Sequence, residues 1–304
     1  MGKFSISDLE NLSGIKAHTI RMWEQRYGIL RPVRTSTNIR TYCESDLRRL
    51  LNVATLCNRG HRISRVAQLS EQELCQAVMQ CGEEGQDHVP QVNALLAAAV
   101  AMDEPQLQLQ ITAALDQLGF EEAMLHILYP FLRRVGIMWQ VGTINPAQEH
   151  LVANLIRQKM VAAIDALPYV PPTEARRWVL FLPQGELHEL GLLFMSYALR
   201  ARQHHVLYLG QNLPVKELAA VCEAYQPYAL CTVLTSVPER DQVQGFIEEL
   251  ARISPHTPLF LYGPLVQREC LQLPGNAVQL RLMTDFLALA NSLTLHPEPT
   301  EVLS

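Results

Sequence analysis

The sequence predicts a multidomain chain of α and α/β class. An N-terminal winged helix-turn-helix comes first, then a four-helix bundle cap, then a doubly wound parallel sheet of the Rossmann-like, flavodoxin-like kind. Three observations predict it. Residues 1–70 carry twelve Lys/Arg and five Asp/Glu, a net of +7, while the rest of the chain carries −12. Four helical segments joined by short connections follow between residues 90 and 167. After a proline-rich stretch, apolar runs alternate with helical segments to residue 295. The expected boundaries are 1–75 for the basic head, 76–170 for linker and cap, 176–296 for the sheet domain, and 297–304 for a disordered tail.

Composition narrows the function classes. With 304 residues and 48% hydrophobic content, the chain is large enough to bury several cores. No apolar run approaches twenty residues, so no membrane partner is expected. The opening "MGKFSISDLE" lacks the apolar centre of a secretion signal, which points to the cytoplasm. The seven cysteines (43, 57, 75, 81, 222, 231, 270) form no C-x-x-C pair and are expected to be reduced thiols. A basic head on an acidic body implies that the head alone meets a polyanion.

In the head, "FSISDLENLSG" and "IKAHTIRMWEQRYGIL" read as helix, tight turn, helix. Ser5 or Ser7 caps the first helix, Leu9 and Leu12 face inward, and Gly14 makes the turn. The second helix runs from near Lys16 to Gly28. It presents Lys16, His18, Thr19, Arg21 and Arg26 outward, with Ile20, Trp23 and Tyr27 on the other stripe. "RPVRTSTNIRTY" is an extended loop, and helix resumes at "CESDLRRLLNVATLCNRG" near Glu44 or Ser45. The second helix is placed to enter a major groove, and the loop to lay Arg34 and Arg40 on double-stranded DNA.

In the cap, the segments are 90–102, 104–118, 121–140 and 146–167. Pro130 is expected to bend the third, and Asn145 with Pro146 to start the fourth. A short helix and polar linker are expected over 71–89. Trp139 closes the third helix, and Glu149 and His150 open the fourth, so the three gather at one end of the bundle. An aromatic plane, a carboxylate and an imidazole there can line a pocket. The plainer reading makes Trp139 core and Glu149 a residue that favours a helix N-terminus.

The runs "WVLFLP", "HVLYLG", "YALCTVLTS", "PLFLYG" and "AVQL" do not alternate, which is the mark of strands covered on both faces. Parallel sheets of this kind bind ligands beyond the C-terminal ends of their strands. The first such loop is "QGELHELG". No G-x-G-x-x-G or P-loop follows any strand, which excludes a nucleotide-phosphate site. His188 on that loop has no nucleophile or metal trio beside it. It is placed instead as a single nitrogen ligand, tuned by Glu186 two residues earlier. Gly191 lets a large flat ligand approach the backbone.

The head, "SISDLENLSGIKAHTIRMWEQRYGIL" with the later "IRTY" and "DL", resembles the DNA-binding domain of MerR-family regulators over about 70 residues. That resemblance implies DNA contacts by Thr19, Arg21, Arg40 and Tyr42, core packing by Trp23, and a homo-oligomer, dimer or tetramer, on an operator. Glu186-x-His188-x-x-Gly191 resembles the D-x-H-x-x-G signature of cobalamin-binding domains, with Glu for Asp. It implies His188 as the lower axial ligand of cobalt. Trp139, nine residues, then Glu149-His150 resembles the cap of CarH-type light-responsive B12 regulators, which join the same three parts in this order. It implies adenosylcobalamin, with Trp139 over the upper corrin face, Glu149 holding the adenosyl group and His150 as upper axial ligand once light expels that group. Thr232 or Thr235 or Ser236 on the third strand, and Gly263 after the fourth, are the expected contacts of the cofactor's displaced tail. Where such domains carry Gly-Gly, this chain has Tyr262-Gly263. Two readings therefore stand: a cobalamin-responsive transcription regulator, non-enzymatic, or a relative whose B12-like domain has lost the cofactor and serves as a protein-interaction module.

Overall fold

The computed structural model describes residues 4–34, 40–58, 60–74, 77, 88–140, 144–169, 171, 175–267 and 271–293. The expected tail at 297–304 and most of the expected linker lie outside them. The chain divides into two compact units, Met1–Ile156 and Arg157–Ser304.

In the first unit, α1 (Ile6–Ser13) begins at Ser5 rather than Ser7. The reason is Asp8: its carboxylate accepts from Ser5 N at 2.7 Å while Ser5 Oγ accepts from Asp8 N at 3.2 Å, a reciprocal box that only Ser5 can close. Gly14 ends the helix at φ +72°, a left-handed conformation that costs glycine little. Then come α2 (Ala17–Tyr27), β1 (Val33–Arg34) and β2 (Arg40–Thr41), antiparallel strands of the expected wing. Tyr42 pairs its backbone with Phe4, closing the wing onto the chain start. α3 (Glu44–Asn58) and the short α4 (Ile63–Val66) complete the head.

The bundle holds α5 (Val89–Ala101), α6 (Glu104–Leu118), α7 (Phe120–Ala123), α8 (Tyr129–Gln140) and α9 (Pro146–Asp165). Between α7 and α8, Met124–Leu128 takes the wider π spacing. Pro130 has no N–H to offer the carbonyl four residues back, and its ring crowds that turn. The chain relieves this with a π segment placed just before it, where Tyr129 N–H reaches Met124 O. Asn145 caps α9 as expected, in a reciprocal pair with Gln148.

Head and bundle share one core in this unit. Asn93 of α5, buried, donates to Thr55 Oγ1 of α3 at 2.6 Å and accepts from Arg134 of α8 at 2.6 Å. Burial pushes the Arg134 guanidinium below its ordinary pKa, and the bond to this amide offsets part of the cost of a charge there.

The second unit is a five-stranded parallel sheet: β3 (Arg177–Pro183), β4 (His205–Leu213), β5 (Ala229–Val233), β6 (Leu259–Tyr262) and β7 (Ala277–Gln279), in the order β4-β3-β5-β6-β7. α11 (Val215–Tyr225) and α12 (Val243–Ile253) pack on one face through Leu218, Cys222, Ile247 and Leu250. α10 (Leu190–Ala201) and α13 (Met283–Ser292) pack together and cover the other. This is the doubly wound arrangement expected. The direction of winding reverses between β3 and β5, so the crevice falls between the loops that follow those two strands. No helix among the described residues is long and apolar enough to cross a membrane. Cys43, Cys57, Cys222 and Cys231 are free thiols.

Asn93→Leu takes one hydrogen-bond partner from each of Arg134 and Thr55. It should destabilise the first unit by about 2–4 kcal/mol, and Thr55→Val by about 1 kcal/mol. Thermal melting of the two variants against the parent checks the order.

Candidate functional site

The loops after β3 and β5 meet on one carboxylate. Glu186 is fully buried. Its Oε2 accepts from the backbone N–H groups of Thr235, Ser236 and Val237 at 3.0, 2.7 and 3.1 Å. Its Oε1 accepts from the N–H groups of Leu187 and His188 at 2.9 and 3.0 Å, and lies 2.6 Å from His188 Nδ1. The Ser236 hydroxyl donates to the same carboxylate at 3.2 Å. Burial alone would raise this group's pKa. The His188 ring and the N–H donors of Ser236, His188 and Val237 outweigh it and hold Glu186 well below the usual carboxylate range.

The consequence for His188 is a fixed ring. Its side chain is 61% exposed while Nδ1 faces the buried carboxylate, so Nε2 is the nitrogen that a metal would take. The sequence expectation that Glu186 backs His188 is met, and Glu186 also joins the two loops at the switch point. A cleft of about 540 Å³ lies beside it, lined by Thr235, Ser236, Pro238, Glu239, Arg240, Asp241 and Leu265.

The other expected ligand contacts separate. Ser236 stands at the site. Thr232 is fully buried in β5, on the face of Leu230 and Leu234, and its hydroxyl finds no partner among the described residues. Two glycines also have reasons within the sheet itself. A Cβ on Gly263 would lie 2.4 Å from Leu234 O, so this glycine, at φ +113°, is demanded by the close approach of the segments that follow β6 and β5. A Cβ on Gly191 would meet only Val233 methyls at 3.6 and 3.7 Å, so the residue faces the sheet. Tyr262 is half-buried on the face of Phe260. Burial, then the charge of Asp285 on α13, raises its pKa.

In the first unit, Trp139 at the end of α8 is 51% exposed, which removes the reading of it as core. Glu149 and His150 open α9 and pair at 2.9 Å between Oε2 and Nδ1. Part of the loop between them and Trp139, residues 141–143, lies outside the described residues.

The basic face is as expected along α2: Lys16, His18, Arg21 and Arg26 are exposed and Thr19 is partly so, with Trp23 buried beneath. Arg34 is exposed on β1. Tyr42 is the exception. It is 1% exposed and its hydroxyl donates to Glu24 at 2.8 Å, because the Phe4 pairing draws it inward. Arg40 Nε donates to the other oxygen of Glu24 at 3.0 Å. Tyr42 thus supports the arginine from behind. Arg48, Arg62 and Arg65 are exposed in the head as well, and the sequence reading did not name them. Nor did it name Glu189, Arg157 and Tyr208, which meet beside His188. The two acidic residues flanking His188 in "ELHEL" were the available signal.

With this geometry in place, similarity to known proteins can be set beside it. Residues 4–73 match the family described as MerR HTH family regulatory protein, and residues 91–163 match the B12 binding domain. The HTH-type transcriptional repressor CarH of Myxococcus xanthus is 33% identical over 230 residues, covering 74% of this chain and 76% of the relative. CarA of the same organism is 27% identical over 274 residues, 88% of each chain. The monomethylamine corrinoid protein of Methanosarcina barkeri shares the fold at a TM-score of 0.53 and 14% identity, over 65% of this chain and 95% of its own.

Glu186 is depressed in the fold and ordinary, roughly 4.3, when unfolded. Its stabilisation is therefore complete above that pH and is lost as pH falls through the lower folded value. Acid unfolding of Glu186→Gln should begin from a lower stability and lose less of it below roughly pH 4. At neutral pH Glu186→Ala, which strands five backbone N–H groups, should cost at least about 3 kcal/mol. Urea titrations across the pH series read both.

Proposed function

The chain belongs to the MerR-type helix-turn-helix transcriptional repressors that include CarH and CarA, and from that premise we propose that it is a repressor switched by adenosylcobalamin and light. It is a DNA-binding transcriptional regulator with a cobalamin-binding domain, and not an enzyme. The match to a B12-binding domain favours the cofactor-bound reading over a protein-interaction module.

The observation that carries the proposal is the buried Glu186 carboxylate 2.6 Å from His188 Nδ1 at the switch point of the sheet. The residues fit the group. His188 offers Nε2 on a ring oriented by an anion, and the buried Thr232 hydroxyl supplies a polar contact that the protein does not satisfy itself. The cofactor, when bound, supplies a cobalt–carbon bond that light breaks. His188 would hold the metal through Nε2, and Glu186 would fix the ring by accepting the Nδ1–H. Trp139 would offer an uncovered aromatic surface, and Glu149 with His150 a polar pair, to a bound corrin. In the head, Arg21, Arg26, Arg34 and Arg40 contact the operator, with Glu24 and Tyr42 fixing Arg40. The chain acts as a homo-oligomer, and cofactor state changes operator affinity by about 1–3 kcal/mol, a factor of roughly 5–150.

The test is the full chain purified with adenosylcobalamin in the dark. A coloured protein whose spectrum and operator affinity change after green light is expected, and His188→Ala should retain the cofactor at least about tenfold more weakly. A colourless parent overturns the proposal. Arg21→Ala should weaken operator binding, and if the contact is to phosphate the salt slope should fall by about one. Tyr42→Phe should weaken it less, since the ring stays in place.

A further inference from the structure

The loop carrying His188 is held from two sides. Glu186, two residues before, ties it to the loop after β5. Glu189, the residue after, is buried, and its carboxylate accepts from the Arg157 guanidinium and from the Tyr208 hydroxyl, the latter at 3.1 Å. Arg157 lies on α9, in the second unit, and Tyr208 on β4. Burial, with the Glu189 charge, raises the Tyr208 phenol, so that group stays a donor.

This arrangement is unusual for one needed only for stability. The Glu189 side is buried and the Arg157 side half exposed, and a carboxylate buried in this way is often matched in stability by an apolar residue of the same volume. Glu189 also makes no cap bond to α10, whose N-terminus it occupies. What it does is fix a point one peptide bond from His188 to a helix and a strand. A metal bond is strongest when its ligand needs no ordering at the moment of binding. Partners beyond the ligand itself commonly set metal affinity by about 10–100-fold.

We propose that Arg157, Glu189 and Tyr208 are positioning residues that lock the His188 loop to α9 and β4 and so set the strength of the axial histidine bond. The inference rests on the reading of His188 as cobalt ligand.

The experiment uses the full chain labelled with nitrogen-15 histidine and loaded with hydroxocobalamin, then reduced to cobalt(II). Electron paramagnetic resonance shows a doublet for a nitrogen-15 histidine ligand and a triplet for the cofactor's own nitrogen-14 base. The parent should give the doublet. Arg157→Gln and Glu189→Gln should bind the cofactor about 10–100-fold more weakly in equilibrium dialysis, with a triplet appearing. Arg157→Lys should restore most of the doublet. The double variant should lose no more than the weaker single. Arg157 is half exposed, so Arg157→Gln carries the test even where Glu189→Gln folds poorly. An Arg157→Gln protein with parental affinity and a pure doublet overturns the proposed lock. A parent without the doublet overturns the ligand reading beneath it.

Discussion

A carboxylate buried without water must be surrounded by donors, and Glu186 is. Five backbone N–H groups, one hydroxyl and one imidazole nitrogen converge on its two oxygens. Burying such a charge unpaired would be prohibitive. The donors come from two loops that are neighbours only because the sheet winds one way from β3 and the other way from β5. The fold makes the crevice, and Glu186 holds it in one shape. His188 then stands on a rigid base with its ring turned outward.

The same device recurs elsewhere in the chain. Glu24 accepts from Arg40 and Tyr42, fixing a wing arginine against α2. Glu189 accepts from Arg157 and Tyr208 beside the His188 loop. Each is a shielded acid that binds a cation and a tyrosine hydroxyl, drawn from elements distant in sequence. Exposed ion pairs such as Lys16–Glu10 contribute little by comparison. The buried Thr55–Asn93–Arg134 path ties α3 of the head to α5 and α8 of the bundle.

Much of this was legible in the sequence, for physical reasons. Strands covered on both faces are continuous apolar runs, and β3 to β6 were readable within a few residues. His188 with Glu186 was readable because both partners sit on one loop. Tyr42 was not: its inward turn depends on a bridge to Phe4, nearly forty positions away, which leaves no local pattern. Gly263 was visible as a glycine, but its reason, the Leu234 carbonyl just after β5 where a Cβ would sit, is a tertiary contact. Arg157 lies in a long helix among other polar residues, and nothing near it in the chain marks its partner. The π segment before Pro130 follows from a known steric rule, yet the sequence alone does not say whether a helix will bend or widen.

The central claim is a bond from His188 Nε2 to cobalt with Glu186 behind the ring. A crystal structure of the cobalamin-loaded chain measures it directly. The account predicts the metal within bonding distance of Nε2, Nδ1 still against Glu186, and the cofactor's own base displaced from cobalt. A corrin bound with that base still on the metal, or a crevice filled by the Tyr262 ring with no cobalt near His188, would contradict it.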